Sequence, residues 1–212
     1  MGGSSAGSGL GGSAATEVDG GVTADAGDEP YTVPSGCPVP APVAVPGQSI
    51  AIQSINFDTS EVVLRNVSTQ DVTITGTRQG WQWCNVPAYW YLSEVNVTLR
   101  PGQTFAFLPN YNQSGIRQLF RGDDGFDTNE MGIYTVSGSF NNPELIRAFV
   151  SWGEGAQLET RESVGVQSGL WTLGERVEIG PNDSGFIATG PTDRGAGYTS
   201  VRARCLVAPR NP

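Results

Sequence analysis

The sequence predicts an all-β protein, a sandwich or barrel of short strands set behind a disordered tail. Three observations carry that expectation. Apolar side chains recur at every second residue in short runs, the chain carries 29 glycines and 14 prolines, and residues 1–35 hold almost no large apolar side chain. Two-residue periodicity marks a half-buried strand. Abundant Gly and Pro favour turns over long helices. A segment with little to bury cannot offset its ordering entropy. The 212 residues therefore divide into a Gly/Ser/Ala-rich linker, 1–35, and a single β domain, 36–212.

Each element has its own signal. Cys37 opens a proline-locked, extended lead-in that runs to Gly47. Ile50 and Ile52 alternate with polar neighbours, and Ile55 and Phe57 resume one residue out of phase, which predicts a bulge. Val62 and Leu64, then Val72 and Ile74, predict strands on either side of a turn at Asn66–Gln70. Trp81 and Trp83 share a strand face and belong to the core. Val95, Val97 and Leu99, then Arg100-Pro101-Gly102, then Phe105 and Phe107, read as strand, turn and strand. Further strands fit residues 132–136, 146–152, 176–179 and 186–189. The last runs from Tyr198 to Val207, with Val201, Ala203, Cys205 and Val207 on one face opposite Arg202 and Arg204. The only helix-like stretch, Asn142–Leu145, amounts to one turn.

The charge balance limits partners and chemistry. Twelve basic against 21 acidic residues give −9, a sign that repels nucleic acid and anionic membrane surfaces. Every basic residue is arginine, with no lysine and no histidine. Serine and cysteine nucleophiles would lack their usual base, zinc its nitrogen ligands and carbonyl chemistry its amine. The chain is therefore expected not to be an enzyme and to carry no resident cofactor. A glycosidase-type carboxylate pair could draw on Asp58, Glu61, Glu94, Asp127 or Glu130, but no spacing singles out two of them. No apolar run approaches the length of a transmembrane helix.

Two candidate sites and one bridge remain. Tyr89, Trp90 and Tyr91, in a Pro-flanked loop, could stack against sugar faces. Asp123, Asp124, Asp127 and Glu130 gather oxygen ligands around a glycine turn, the kind of set calcium takes, although the spacing is not that of an EF-hand. A solvated acidic loop explains them equally. Of the three cysteines, Cys37 and Cys205 are expected to pair, tying the lead-in to the final strand. Cys84–Cys205 is the rival pairing, and three reduced cysteines the plain alternative. Met1 runs straight into Gly2-Gly3-Ser4-Ser5 without a signal peptide. That opening is similar to the spacer behind the lipidated cysteine of bacterial surface lipoproteins, with Met1 standing in the cysteine's place. A lipid anchor on the native N-terminus is the expectation, and a native start on a cytoplasmic protein is the alternative.

The order of several segments resembles the lamin-tail domain family in its bacterial extracellular form. They are Glu61–Asn66 followed by Asp71–Gly76, Cys84–Trp90, Val97–Gln103, Met131–Tyr134, Asn142-Pro143 leading to Phe149–Gly153, then Ser163–Val166 with Ser168–Trp171. One departure is that Thr77–Gly80 separate Gly76 from Trp81, where the family has Trp directly. The resemblance implies an immunoglobulin-like β-sandwich without fixed catalytic residues, exported or on the cell surface. It implies a binding or structural role toward a protein or a cell-surface polysaccharide. A carbohydrate-binding module built on the aromatics is the alternative.

Overall fold

The computed structural model describes residues 33–75, 80–85, 88–91, 96–108, 129–136, 139–153 and 160–206. The expected tail lies almost wholly outside the described residues. What is described is an all-β sandwich of antiparallel sheets with little helix.

The first sheet has five strands. They are β1 (Ile50–Asn56), β2 (Glu61–Asn66), β7 (Thr104–Phe107), β10 (Gly185–Ala188) and β11 (Tyr198–Val201), in the order β11-β10-β1-β2-β7. The second has four. They are β4 (Gln82–Asn85), β5 (Ala88–Tyr91), β8 (Asn129–Tyr134) and β9 (Ile146–Trp152), in the order β5-β4-β8-β9. Strands β3 (Val72–Thr75) and β6 (Asn96–Leu99) pair with each other as a third, two-stranded ladder.

The predicted phase slip in β1 is real. Pairing with β2 passes from Ile52↔Leu64 to Ser54↔Val63, so Gln53 is the extra residue. The bulge lets Ile50, Ile52, Ile55 and Phe57 all enter the core despite their broken periodicity. Register then aligns Phe186, Ile55, Val62 and Phe107 across four strands. The opposing sheet contributes Trp83, Met131, Ile133, Ala148, Val150 and Trp152. The Trp152 ring bridges the two layers, with its centroid 5.8 Å from Phe57 and 5.6 Å from Phe186. Trp81 and Trp83 are core residues, as their spacing predicts.

Asn66 pins the corner where β2 turns toward β3. Its Nδ2 donates to the carbonyls of Gln70 and Leu99, both at 2.7 Å, and its Oδ1 accepts from the backbone N and the hydroxyl of Ser68. One buried amide thus closes the turn and ties it to β6. The turn at Arg100-Pro101-Gly102 forms with Gly102 at φ +82°. It joins strands of two different ladders, however, so β6 and β7 are not a hairpin.

Four expectations are corrected. Residues 176–179 form no strand; Val177 makes a single parallel bridge to Trp152, covering the outer edge of β9. The final strand stops at Val201, and a 3-10 turn at Ala203–Cys205 follows, leaving Ala203 exposed rather than inside. Tyr89, Trp90 and Tyr91 lie on strand β5 at the sheet edge, not in a loop. A helix α1, Glu162–Gln167, exists where none is expected. It has no side-chain cap at its Arg161 N-cap, and its Gly165 lies so close to β9 that a Cβ there would meet the Phe149 ring at 2.8 Å. Six residues including Gly and two Val make a poor isolated helix, so tertiary packing holds it. Asn142–Leu145 is the single turn expected, with Asn142 Oδ1 accepting from Glu144 N.

The lead-in uses its prolines in phase. Ala41 N donates to Ala188 O at 2.9 Å and Val43 N to Gly190 O at 2.8 Å, while Pro40 and Pro42 fall on the alternate positions that owe no donor to this ladder. Cys37 and Cys205 are bridged, with Cα atoms 5.4 Å apart. The bridge sits in a second small core, formed by Cys37, Ile187, Val201, Cys205 and Leu206 on the other face of the five-stranded sheet. No helix among the described residues is long and apolar enough to cross a membrane.

Candidate functional site

Two regions of the four-stranded sheet hold residues that the sequence singles out. The first is its β5 edge. Tyr89 pairs with Cys84, Trp90 with Trp83 and Tyr91 with Gln82, so β4 fixes the backbone positions of all three aromatics. Their side chains lie outside the described residues. A strand fixes its residues more firmly than a loop does, which matters for any binding surface built there.

The second region surrounds Glu130. On β8 this residue stands opposite Ser151 of β9, and both are buried. Register puts Glu130 and Ser151 on the same face as Gly132 and Phe149, the face α1 covers. The segment entering α1 closes over the carboxylate. The Thr160 hydroxyl donates to Oε2, and Arg161 N donates to Oε1 at 2.5 Å. Thr160 Oγ1 accepts in turn from Glu162 N at 2.9 Å, so one hydroxyl links the buried carboxylate to the start of the helix. Beside it, Arg176 Nη1 donates to Ser151 Oγ at 2.5 Å, and Glu162 Oε1 accepts from Gly174 N at 2.7 Å.

Burial pushes the Glu130 carboxyl above the ordinary carboxylate range. The hydrogen bonds from Thr160 and Arg161 N and the Arg161 charge pull it back only in part, and the Glu162 charge adds to the rise. Both oxygens hold protein donors, an arrangement that fastens α1 to the sheet. Of the other expected calcium ligands, Asp123, Asp124 and Asp127 lie outside the described residues. Among the described residues no three acidic or cysteine side chains gather into a group that could hold a metal ion. Asp58 and Glu61 flank the β1–β2 turn of the five-stranded sheet, whereas Glu130 is on the four-stranded one. Glu94 and Asp127 lie outside the described residues.

A raised carboxyl pKa sets the sign of a pH effect. The folded state favours protonated Glu130, so its contribution to stability is present at low pH and lost as pH rises through the elevated value. Glu130→Gln imitates the protonated form. The variant is expected to show a higher denaturant midpoint than wild type at pH 8, with the gap closing by pH 4. A midpoint lower than wild type at pH 8 would show that the charged carboxylate is the stabilising form.

Thr160, Arg161 and Asn66 do more in the structure than the sequence announces. Asn66 carries a signal in hindsight, an Asn opening a Val-Ser-Thr-Gln turn. Thr160 carries none, because its partner is thirty residues away.

No protein-family model matches the chain, and no curated protein matches it either.

Proposed function

We propose that the chain is a non-catalytic binding or structural module of an exported, surface-tethered bacterial protein, a lamin-tail-type sandwich held off its anchor by the Gly/Ser/Ala tail. The observation that carries this reading is the Cys37–Cys205 bridge, which joins the two ends of the sandwich. Such long-range structural disulfides belong to oxidising compartments. The lamin-tail assignment draws support from where its segments fall. Glu61–Asn66 is β2, Val97–Leu99 lies in β6, Met131–Tyr134 lies in β8, and Phe149–Trp152 closes β9. A chain without lysine or histidine also lacks the usual groups for proton and acyl transfer.

Thiol trapping in the native cells tests the export reading. Rapid alkylation before lysis is expected to label Cys84 alone, with Cys37 and Cys205 reacting only after reduction. Three alkylated cysteines in freshly trapped protein would place it in a reducing compartment. Acyl chains on the mature N-terminus, read by mass spectrometry, would identify the anchor.

A second reading has its own observation: Tyr89, Trp90 and Tyr91 follow one another on a strand at the edge of the sheet. It makes the chain a carbohydrate-binding module. Binding on a glycan array that falls at least tenfold with Trp90→Ala is the expected outcome of that reading. An array without signal for wild type would end it.

A further inference from the structure

Strand β11 is an edge of the five-stranded sheet. Its inward groups can be assigned one by one. The carbonyls of Gly197 and Val201 accept from Thr189 N and Ser184 N, both at 2.8 Å, and Thr199 stands opposite Ile187. Main-chain groups alternate between the two sides of a strand, so Tyr198, Ser200 and Arg202 turn theirs away from β10. Tyr198 N is taken by Gly195 O of the preceding turn, and Arg202 O accepts from Cys205 N. Tyr198 O, Ser200 N, Ser200 O and Arg202 N remain, and no described residue bonds to them. Arg202 keeps an extended backbone, φ −76° and ψ 159°, so this open row runs on past the last paired residue.

Two other edges are closed. Val177 N donates to Ser151 O and Val177 O accepts from Gly153 N, which covers β9. Pro40 and Pro42 leave the free side of the lead-in without donors. Strand β11 carries no such guard, since Tyr198-Thr199-Ser200-Val201 holds neither proline nor charge. Beside the open row stand two cations. Arg202 and Arg204 are exposed, and neither guanidinium bonds to another described residue. A complementary partner offers an extended backbone to the row and carboxylates at its Arg202 end. A second copy fits poorly, because it brings a net charge of −9 against another −9. Pairing along one short strand also buries less than the roughly 1,200 Å² of a stable interface.

We propose that β11 is a docking edge for an extended acidic peptide of another protein, added to the sheet as an antiparallel strand. Its backbone bonds to Tyr198, Ser200 and Arg202, and its carboxylates sit on Arg202 and Arg204. The antiparallel direction places those carboxylates toward the N-terminal end of the peptide. The inference rests on the binding reading and gives it a surface, one independent of export, tethering and the aromatics of β5.

Fluorescence anisotropy on the full chain tests it, with labelled acetyl-Asp-Glu-Glu-Thr-Val-Thr-Val-amide as the probe. Saturable binding is expected at 10 mM ionic strength. A probe N-methylated throughout its Thr-Val half keeps the charge and loses the donors, and is expected to bind about tenfold more weakly. Ser200→Pro removes a donor on the open side only, so the ladder to β10 survives, and a similar loss is expected. Arg202→Gln/Arg204→Gln is expected to weaken binding about fivefold at low salt, with the difference gone in 0.5 M NaCl. An N-methylated probe that binds as well as its parent overturns the proposal, since charge alone would then hold the peptide. Absence of saturable binding by the parent probe also overturns it, and leaves the thiol-trapping and glycan-array outcomes as they stand. A dimer seen by sedimentation in wild type and dissolved by Ser200→Pro gives the edge to a second copy, and overturns it as well.

Discussion

A Cys37→Ser/Cys205→Ser protein is expected to unfold in far less denaturant than the oxidised wild type, with a loss of about 4–5 kcal/mol by the loop-closure argument. The size follows from the 168-residue separation of the two cysteines, which makes the closed loop nearly the whole domain. Oxidation removes extended conformations from the unfolded chain, and the folded contacts need not change. The bridge also lies against Ile187, Val201 and Leu206, so its removal loosens a small apolar cluster as well. Guanidinium titrations of wild type with and without reductant, beside the double variant, check this. Reduced wild type should fall on the variant, with a steeper dependence on denaturant than the oxidised protein because more surface is exposed on unfolding. A loss below about 1 kcal/mol would mean that the unfolded chain is already compact without the bridge.

Trp152→Ala carries the second large effect, a loss of about 3–5 kcal/mol. Trp152 is fully buried at the end of β9, and its ring meets Phe57 and Phe186 of the opposite sheet. The same residue's backbone bridges to Val177, so the void would open where core and edge cover meet. Domains of this size commonly have only about 5–15 kcal/mol in total, which leaves such a variant near the limit of folding. Trp152→Phe keeps most of the ring contact and should retain more than half of the lost stability. Thermal unfolding of both variants decides the point. Equal, small losses for Ala and Phe would mean the two sheets are held together elsewhere.

What the sequence revealed and what it concealed divide along the range of the interactions. The bulge in β1 was legible because Ile52 and Ile55 are neighbours whose phase can be counted. The turn after Asn66 was legible for the same reason; the Cys37–Cys205 pairing was expected on a premise that fails, since Cys205 lies past the end of β11 in a 3-10 turn and the bridge packs on the other face of the five-stranded sheet. Helix α1 was hidden because its cause is not local. Gly165 fits against Phe149 and Thr160 reaches Glu130, contacts that no periodicity within Glu162–Gln167 encodes. Strand β5 was hidden by the proline before it, which reads as a loop until β4 supplies its ladder. Residues 176–179 alternate like a strand, yet only Val177 finds an edge to join. Of the candidate sites, the sequence proposed the aromatics and the acidic residues by residue type alone. That Glu130 is buried beneath the entry to α1 depends on β8, β9 and residues 160–162 meeting in space.

The bridge between Cys37 and Cys205 decides how the strands would meet a pulling force. Tension applied between the two ends of the chain enters at Cys37 and leaves at Cys205 through a covalent bond. Strands β1 to β11 all lie in the loop between those points, in parallel with the bond and outside the load path. The ladders within the loop are not peeled apart by such a pull while the cystine stays oxidised.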